Sequence, residues 1–150
     1  MNVGQVCKRS PITIRKSDEL TTAARLMRDK HIGYLIVVES NPDETLRPVG
    51  VLSDRDIVVA VVAKDTDPRA LTVGDVMTTP PVVVAEGKPV SWALKEMRRI
   101  GVRRLPVVGS AGQLVGVLAL DDVLNILAGE LLDAAGSVRN EVLIERSLRP

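Results

Sequence analysis

The chain has 150 residues, of which 45% are apolar and 26% are charged, and its formal net charge is +1. This composition excludes a disordered chain, and the balanced charge provides no bulk attraction to nucleic acid or to an anionic membrane. The only aromatic residues are Tyr34 and Trp92, so a row of stacking side chains for single-stranded nucleic acid is excluded as well.

The single cysteine, Cys7, excludes an intrachain disulfide and is typical of a reducing compartment. No apolar run reaches the roughly 18 residues needed to cross a bilayer, and the N-terminus lacks the apolar core of a signal peptide. With one histidine and one cysteine, the chain also lacks the usual ligands of a metal site. The sequence therefore predicts a cytoplasmic protein without a membrane partner or a metal.

The sequence contains an internal repeat. Gly4-Gln5-Val6-Cys7 corresponds to Gly74-Asp75-Val76-Met77, 70 residues later. Val49-Gly50-Val51-Leu52 corresponds to Val115-Gly116-Val117-Leu118 at an offset of 66, so the first copy carries four extra residues in the loop 40–47. Because the register holds on both sides of one loop, the pattern predicts two copies of one supersecondary unit.

The residue pattern of each copy predicts the element order β-α-β-β-α. Short apolar runs at 12–14 and 82–84 follow a proline and predict the first strands. Apolar residues at i, i+3, i+4 and i+7 from Leu20 and from Val90 predict the first helices, with Ser17 or Asp18 as the cap of the earlier one. Continuous apolar runs at 34–38 and 105–108 predict buried strands, and helices at 54–63 and 120–127 follow the third strands.

The same pattern divides the chain into a first repeat, 1–64, a polar linker, 65–72, a second repeat, 73–129, and a helical tail, 130–150. Residues 130–136 either extend the last helix or break it. Residues 138–148 predict a short terminal helix that frays or packs on a partner chain.

The stretch from Gly50 to Asp56 is a strand that ends at a helix N-terminus. Such an end suits an anion, Arg55 can neutralise a phosphate, and Asp56 can accept hydrogen bonds from a pair of hydroxyls. Ser53 and Asp56 also form an ordinary helix-capping pattern, and both interpretations can hold at once. The corresponding stretch in the second copy, 116–122, has Ala119 in place of Ser53.

Three motifs carry a resemblance to tandem cystathionine-β-synthase (CBS) domains, and it extends over residues 3 to about 128. They are Gly74-Asp75-Val76-Met77-Thr78, the run 101–108, and Gly50-Val51-Leu52-Ser53-Asp54-Arg55-Asp56-Ile57. The resemblance implies an α/β (α+β) fold of two β-α-β-β-α repeats with pseudo-twofold symmetry, a Bateman-type module. It also implies a homodimer that regulates an unknown protein and is not an enzyme, with AMP, ADP, ATP, NAD or S-adenosylmethionine bound between the repeats.

Carried onto this sequence, the resemblance implies two sites. The first would use Ile12, Thr13, Tyr34, Ile36, Ser53, Arg55 and Asp56. The second, which departs further from the family at Ala119, would use Val83, Arg103, Arg104, Pro106 and Asp122. Since the first copy has Tyr34 where many members have a basic residue, an arginine placed like Arg103 could reach across from the second copy.

Two alternatives remain at this stage. Ala119 and Tyr34 also fit an assembly module whose ligand sites have degenerated. Enzyme activity has the least support, because no nucleophile–base pair and no Walker-type phosphate loop is present.

Overall fold

The computed structural model describes residues 1–149 and contains two three-stranded sheets. The first sheet consists of β1 (Thr13–Arg15), β2 (Tyr34–Ser40) and β3 (Leu46–Ser53), and the second consists of β4 (Val84–Ala85), β5 (Arg104–Val108) and β6 (Leu114–Ala119). The α-helices are α1 (Val3–Val6), α2 (Leu20–Lys30), α3 (Asp54–Ile57), α4 (Val73–Val76), α5 (Val90–Ile100) and α6 (Leu120–Leu148).

The two sheets have the same topology. In each, the first strand pairs parallel to the second, and the second pairs antiparallel to the third. The parallel pair is joined through α2 in the first repeat and through α5 in the second, as a parallel connection requires. The predicted mixed α/β fold with two β-α-β-β-α repeats is therefore confirmed, and each repeat also begins with a short helical turn, α1 or α4.

Helices α2 and α5 bury the apolar faces that their spacing predicts. The fully or nearly fully buried residues on these faces are Leu20, Ala23, Met27, Val90, Ala93 and Met97. Both helices end in the left-handed conformation, at His31 with φ 53° and at Gly101 with φ 72°. The predicted Ser17 or Asp18 cap of α2 is wrong. Glu19 is the N-cap without a side-chain bond, because the carbonyl of Leu71 accepts from the Leu20 N–H at 3.1 Å.

The opening segment of each repeat packs against the other repeat. Val3 and Cys7 lie in the core that contains β4, β5 and α5, whereas Val73 lies in the core of the first repeat. The backbone N–H of Lys8 donates to the Val117 carbonyl at 2.9 Å, and the Val117 N–H donates back at 3.0 Å. The two repeats are thus held together by exchanged segments as well as by side-chain packing.

Two glycines of the repeated Gly-Val-Leu motif make room for these segments. A Cβ on Gly116 would lie 2.6 Å from the carbonyl oxygen of Lys8 and 2.9 Å from the sulfur of Cys7. A Cβ on Gly50 would lie 2.6 Å from the sulfur of Met77. Contacts this short essentially never occur for a real Cβ, so the third strand of the second repeat needs a glycine where the backbone of Lys8 crosses it, whereas at Gly50 the Met77 side chain would have to shift.

The C-terminal part of the chain is one continuous helix. Helix α6 runs for 29 residues through Gly136, so residues 130–136 extend the last helix, and residues 138–148 are helical as predicted but belong to this same helix. Pro150, the last residue of the predicted tail, lies outside the described residues. Among residues 1–149, no helix combines the length and the apolar character needed to cross a membrane.

Candidate functional site

A cleft of about 300 Å³ lies between the two repeats. Its walls come from the segment before β1, from the start of β2, from β6 and from the first turn of α6. The lining residues are Lys8, Arg9, Ser10, Pro11, Ile12, Ile32, Tyr34, Ile36, Arg104, Val117, Ala119, Asp121 and Asp122.

The apolar wall follows from the alternation of side chains along β2. Leu35 and Val37 point into the core of the first repeat, so Tyr34 and Ile36 point to the opposite face and line the cleft. Ile12, at the entry to β1, adds to this wall, and its carbonyl accepts from the Ile36 N–H at 3.3 Å. The result is an apolar slot on the first-repeat side of the cleft.

Asp122, in the first turn of α6, forms the opposite side. Its Oδ1 atom lies 3.0 Å from Nζ of Lys8, and the side chain is 21% exposed. Its Oδ2 atom is buried and has no hydrogen-bond partner among the described residues. A carboxylate oxygen buried without a partner is costly, so rotation of the Asp122 side chain toward a hydroxyl or amine of a ligand would be favourable.

The corresponding acid of the first repeat, Asp56, has different partners. Its Oδ2 atom accepts from the Ser53 N–H at 2.7 Å, and its own N–H donates to the Ser53 hydroxyl at 3.1 Å. This is a complete capping box at the start of α3. Ala119, the N-cap of α6, has no hydroxyl, so α6 lacks a side-chain cap, and the Oδ2 atom of Asp122 receives no bond like the one that the Ser53 N–H makes to Asp56.

Arg104 is the arginine that reaches from the second repeat toward the first. Its guanidinium lies 5.9 Å from the centroid of the Tyr34 ring, within cation–π range. Burial raises the pKa of Tyr34 well above its usual range, although Arg104 acts in the opposite direction, so the phenol keeps its proton at neutral pH. Arg103 instead forms an ion pair of 2.6 Å with Asp121 of its own repeat.

The structure brings together, in one cleft, residues that the sequence analysis assigns to two different sites. Ile12, Tyr34 and Ile36 of the first predicted set share one cleft with Arg104 and Asp122 of the second set. The remaining predicted residues do not line this cleft: they are Thr13, Ser53, Arg55, Asp56, Val83, Arg103 and Pro106. Thr13 and Pro106 pair within the two sheets, with Ile36 and Val117 respectively.

Asp121 was missed by sequence reasoning, and so were three consecutive polar lining residues, Lys8, Arg9 and Ser10. They follow Cys7 directly, at the place where the second repeat has Thr78, Thr79 and Pro80, so the alignment of the two copies contained the signal. Arg9 also forms an ion pair of 3.2 Å with Glu86. The cleft therefore has three cationic residues, Lys8, Arg9 and Arg104, beside the two acids Asp121 and Asp122.

No group of three or more His, Cys, Asp or Glu side chains among residues 1–149 is arranged to hold a metal ion. What the arrangement offers is an apolar slot, a carboxylate with a free acceptor atom and a cationic edge. These are the elements that bind a small molecule with a flat apolar part, hydroxyls and a negative group.

Comparison with known proteins gives two matches to one family. Residues 3–63 and residues 73–129 each match the family model described as CBS domain, and together they span most of the chain. A relative in Methanopyrus kandleri, the uncharacterized protein MK0525, is 32% identical over 126 residues, which are 84% of this chain and 62% of that protein. The chain thus spans less than two thirds of that relative's length.

Two solved structures extend the comparison. A hexameric CBS-CP12 protein from bloom-forming cyanobacteria is 29% identical, with a TM-score of 0.71 over 83% of this chain and 66% of that one. The structure of CBSX2 in complex with AMP is 27% identical, with a TM-score of 0.69 over 85% of this chain and 96% of that one.

Proposed function

Because the chain belongs to the CBS-domain family, we propose that it is a regulatory module that binds an adenosine-containing ligand in the cleft closed by Asp122. The observation that carries the proposal is the shared cleft of Ile12, Tyr34 and Ile36 with Asp122 and Arg104. Each repeat supplies one half of the wall, so a ligand there touches both.

The cleft contains a partner for each part of such a ligand. The slot beside Ile12 and Ile36 suits the adenine ring, which needs apolar contact and a few backbone bonds. The Asp122 carboxylate, one oxygen of which has no partner among the described residues, suits a ribose hydroxyl, and a charge-assisted bond of this kind is stronger than a neutral one. Lys8 and Arg104 suit a phosphate.

The charge of the cleft favours a phosphate-bearing ligand. Lys8 is paired with Asp122, Arg9 with Glu86 and Asp121 with Arg103, so Arg104 is the lining cation without an acid partner among the described residues. We therefore rank AMP, ADP, ATP and NAD above S-adenosylmethionine, whose sulfonium adds a positive charge to a cationic edge. The volume of about 300 Å³ lies at the lower end of the range for ligand pockets, which favours AMP. The AMP complex of CBSX2, a relative with 27% identity, supports the same choice.

Regulation would follow from population shift. A ligand held by both repeats stabilises the arrangement that binds it by RT ln(1 + [L]/Kd), about 2.7 kcal/mol at 100 Kd. Since Asp122 lies in the first turn of α6, the helix is the element placed to respond to an occupied cleft.

The test is calorimetric titration of the chain with AMP, ADP, ATP, NAD and S-adenosylmethionine. Asp122→Asn should weaken AMP binding about 10- to 100-fold, because a charged acceptor is lost. Asp56→Asn, the matched change in the other repeat, should leave AMP binding within about twofold, since the Asp56 carboxylate is engaged in the capping box. The reverse pattern would refute the Asp122 cleft as the site.

A second candidate is the assembly module without a ligand. The ion pair of Lys8 with Asp122 favours it, because Lys8 already satisfies one oxygen of the acid that the ligand would use. No change in melting temperature with any of the five adenosine compounds would select this alternative.

A further inference from the structure

We propose that the free part of α6 pairs with α6 of a second copy of this chain as a parallel two-stranded coiled coil. The proposal concerns a surface outside the cleft and does not depend on ligand binding. It rests on the exposure of α6, on the spacing of its apolar residues and on the charges beside them.

Helix α6 extends far beyond the body of the protein. At 1.5 Å per residue its 29 residues span about 43 Å. Val123 in its first turns is fully buried in the core of the second repeat, but from Leu127 to Arg149 every residue except Gly136 is exposed. Large apolar side chains on this part, among them Leu131, Val138 and Val142, therefore face solvent. An isolated helix with so much exposed apolar surface depends on tertiary packing for its stability.

Six apolar residues form one stripe along α6, which we call the apolar seam. They alternate in spacings of four and three: Leu124, Ala128, Leu131, Ala135, Val138 and Val142. At about 100° per residue, the six lie within about 80° of one another around the helix. Its four larger members are between 46% and 72% exposed. Glu145 occupies the next place in the pattern, so the seam ends at Val142.

This spacing is the heptad pattern of a coiled coil. Ala128, Ala135 and Val142 occupy the a positions, and Leu124, Leu131 and Val138 occupy the d positions. Small side chains at a and larger ones at d allow two helices to approach closely and to interlock. Because the seam is complementary to itself, a second copy of the same helix is the partner that it fits.

The flanking charges favour the parallel orientation. Glu141 occupies a g position, and Arg146, five residues later, occupies the following e position. In a parallel pair these two positions face each other across the interface and carry opposite charges. In an antiparallel pair the e positions face each other, and Arg139 and Arg146 would then face arginine.

A membrane surface is a poorer match for the same helix. Between Leu120 and Arg149 the chain has six acidic and three basic residues, so an anionic bilayer would repel it. The acidic residues in the first turn, Asp121 and Asp122, match the helix dipole instead.

The test is disulfide cross-linking of the full chain in a Cys7→Ala background, whose fold is verified by thermal denaturation. In a parallel pair, identical a positions are neighbours, so Val142→Cys should form an interchain disulfide under mild oxidation. Leu143→Cys, an exposed apolar residue outside the seam, is the matched control, and Val142→Cys should react at least about tenfold faster because a disulfide needs Cβ atoms about 4 Å apart.

A double-mutant cycle of two charged residues gives a second measurement. Glu141→Lys and Arg146→Glu should each slow cross-linking at position 142 about two- to fivefold, and the double change should restore the rate, because exposed ion pairs contribute modestly but specifically. Equal rates at 142 and 143, or no cross-link at 142 in a folded chain, would overturn the proposal. Flotation of the wild-type chain with phosphatidylcholine–phosphatidylglycerol vesicles, or a monomer at high concentration, would overturn it too.

Discussion

The ammonium of Lys8 lies 3.0 Å from Oδ1 of Asp122, and this ion pair joins the opening segment of the first repeat to the last helix of the second. The backbone of Lys8 is fixed by two hydrogen bonds to Val117, whereas its side chain is 70% exposed. Asp122, the acid that we propose for ligand binding, is therefore paired with a lysine that a ligand can either displace or contact.

Replacing Lys8 by methionine should lower the preference of the cleft for AMP over adenosine. The change removes a phosphate partner and at the same time frees Asp122 for the ribose, so the ratio of the two affinities should fall by about 2- to 10-fold. Calorimetry with both ligands measures this ratio. Lys16→Met, which removes a cation paired with Glu39 outside the cleft, is the control and should leave the ratio unchanged.

Gly116→Ala should destabilise the fold by about 1–3 kcal/mol, because the new Cβ overlaps the backbone of Lys8 and the sulfur of Cys7. Gly129→Ala is the control. This glycine lies within α6 with nothing within 4 Å of its Cβ position, so alanine there should stabilise by up to about 1 kcal/mol. Urea unfolding of the two variants gives both values, and a neutral Gly116→Ala would contradict the role we assign to the crossing segments.

Ala119→Ser should stabilise α6 by about 1 kcal/mol, because a serine at the N-cap can accept from a free backbone N–H of the first turn. Ser53→Ala should cost a similar amount at α3, where the hydroxyl already accepts from the Asp56 N–H. Thermal denaturation of both variants measures the two effects. If they have the same sign, the difference between the two helix starts has another cause.

Asp75 should contribute to stability in a pH-dependent way. The N–H and hydroxyl of Thr72 donate to its carboxylate and lower the pKa of Asp75 in the folded chain. Its contribution is therefore present above the unfolded pKa, about 4, and is lost as pH falls through the lower folded pKa. Asp75→Asn should make the free energy of unfolding depend less on pH in the acid range, and Thr72→Val should have the same effect in part. An unchanged profile in Asp75→Asn would contradict the assignment.

The sequence by itself determined the repeat architecture. Strand and helix patterns with periods of 2 and 3.6 are local properties, and two copies with the same order of elements support each other. The apolar faces beginning at Leu20 and at Val90 agree with the structure. The local pattern predicts the wrong cap at the start of α2. There the carbonyl of Leu71, from a distant part of the chain, accepts the hydrogen bond of the Leu20 N–H in place of the expected side-chain cap.

Only the tertiary structure decided which residues share a cleft. The family resemblance assigns Tyr34 and Asp56 to one site, since the two belong to the same copy. The folded chain brings Tyr34 to Asp122 and Lys8 instead, because the opening segment of each repeat crosses the third strand of the other. Such contacts depend on backbone crossings far apart in sequence, and no periodicity records them. Gly116 marks this crossing in the sequence. The reason for the glycine appears only in the structure, where the carbonyl oxygen of Lys8 lies 2.6 Å from the position that a Cβ on Gly116 would occupy.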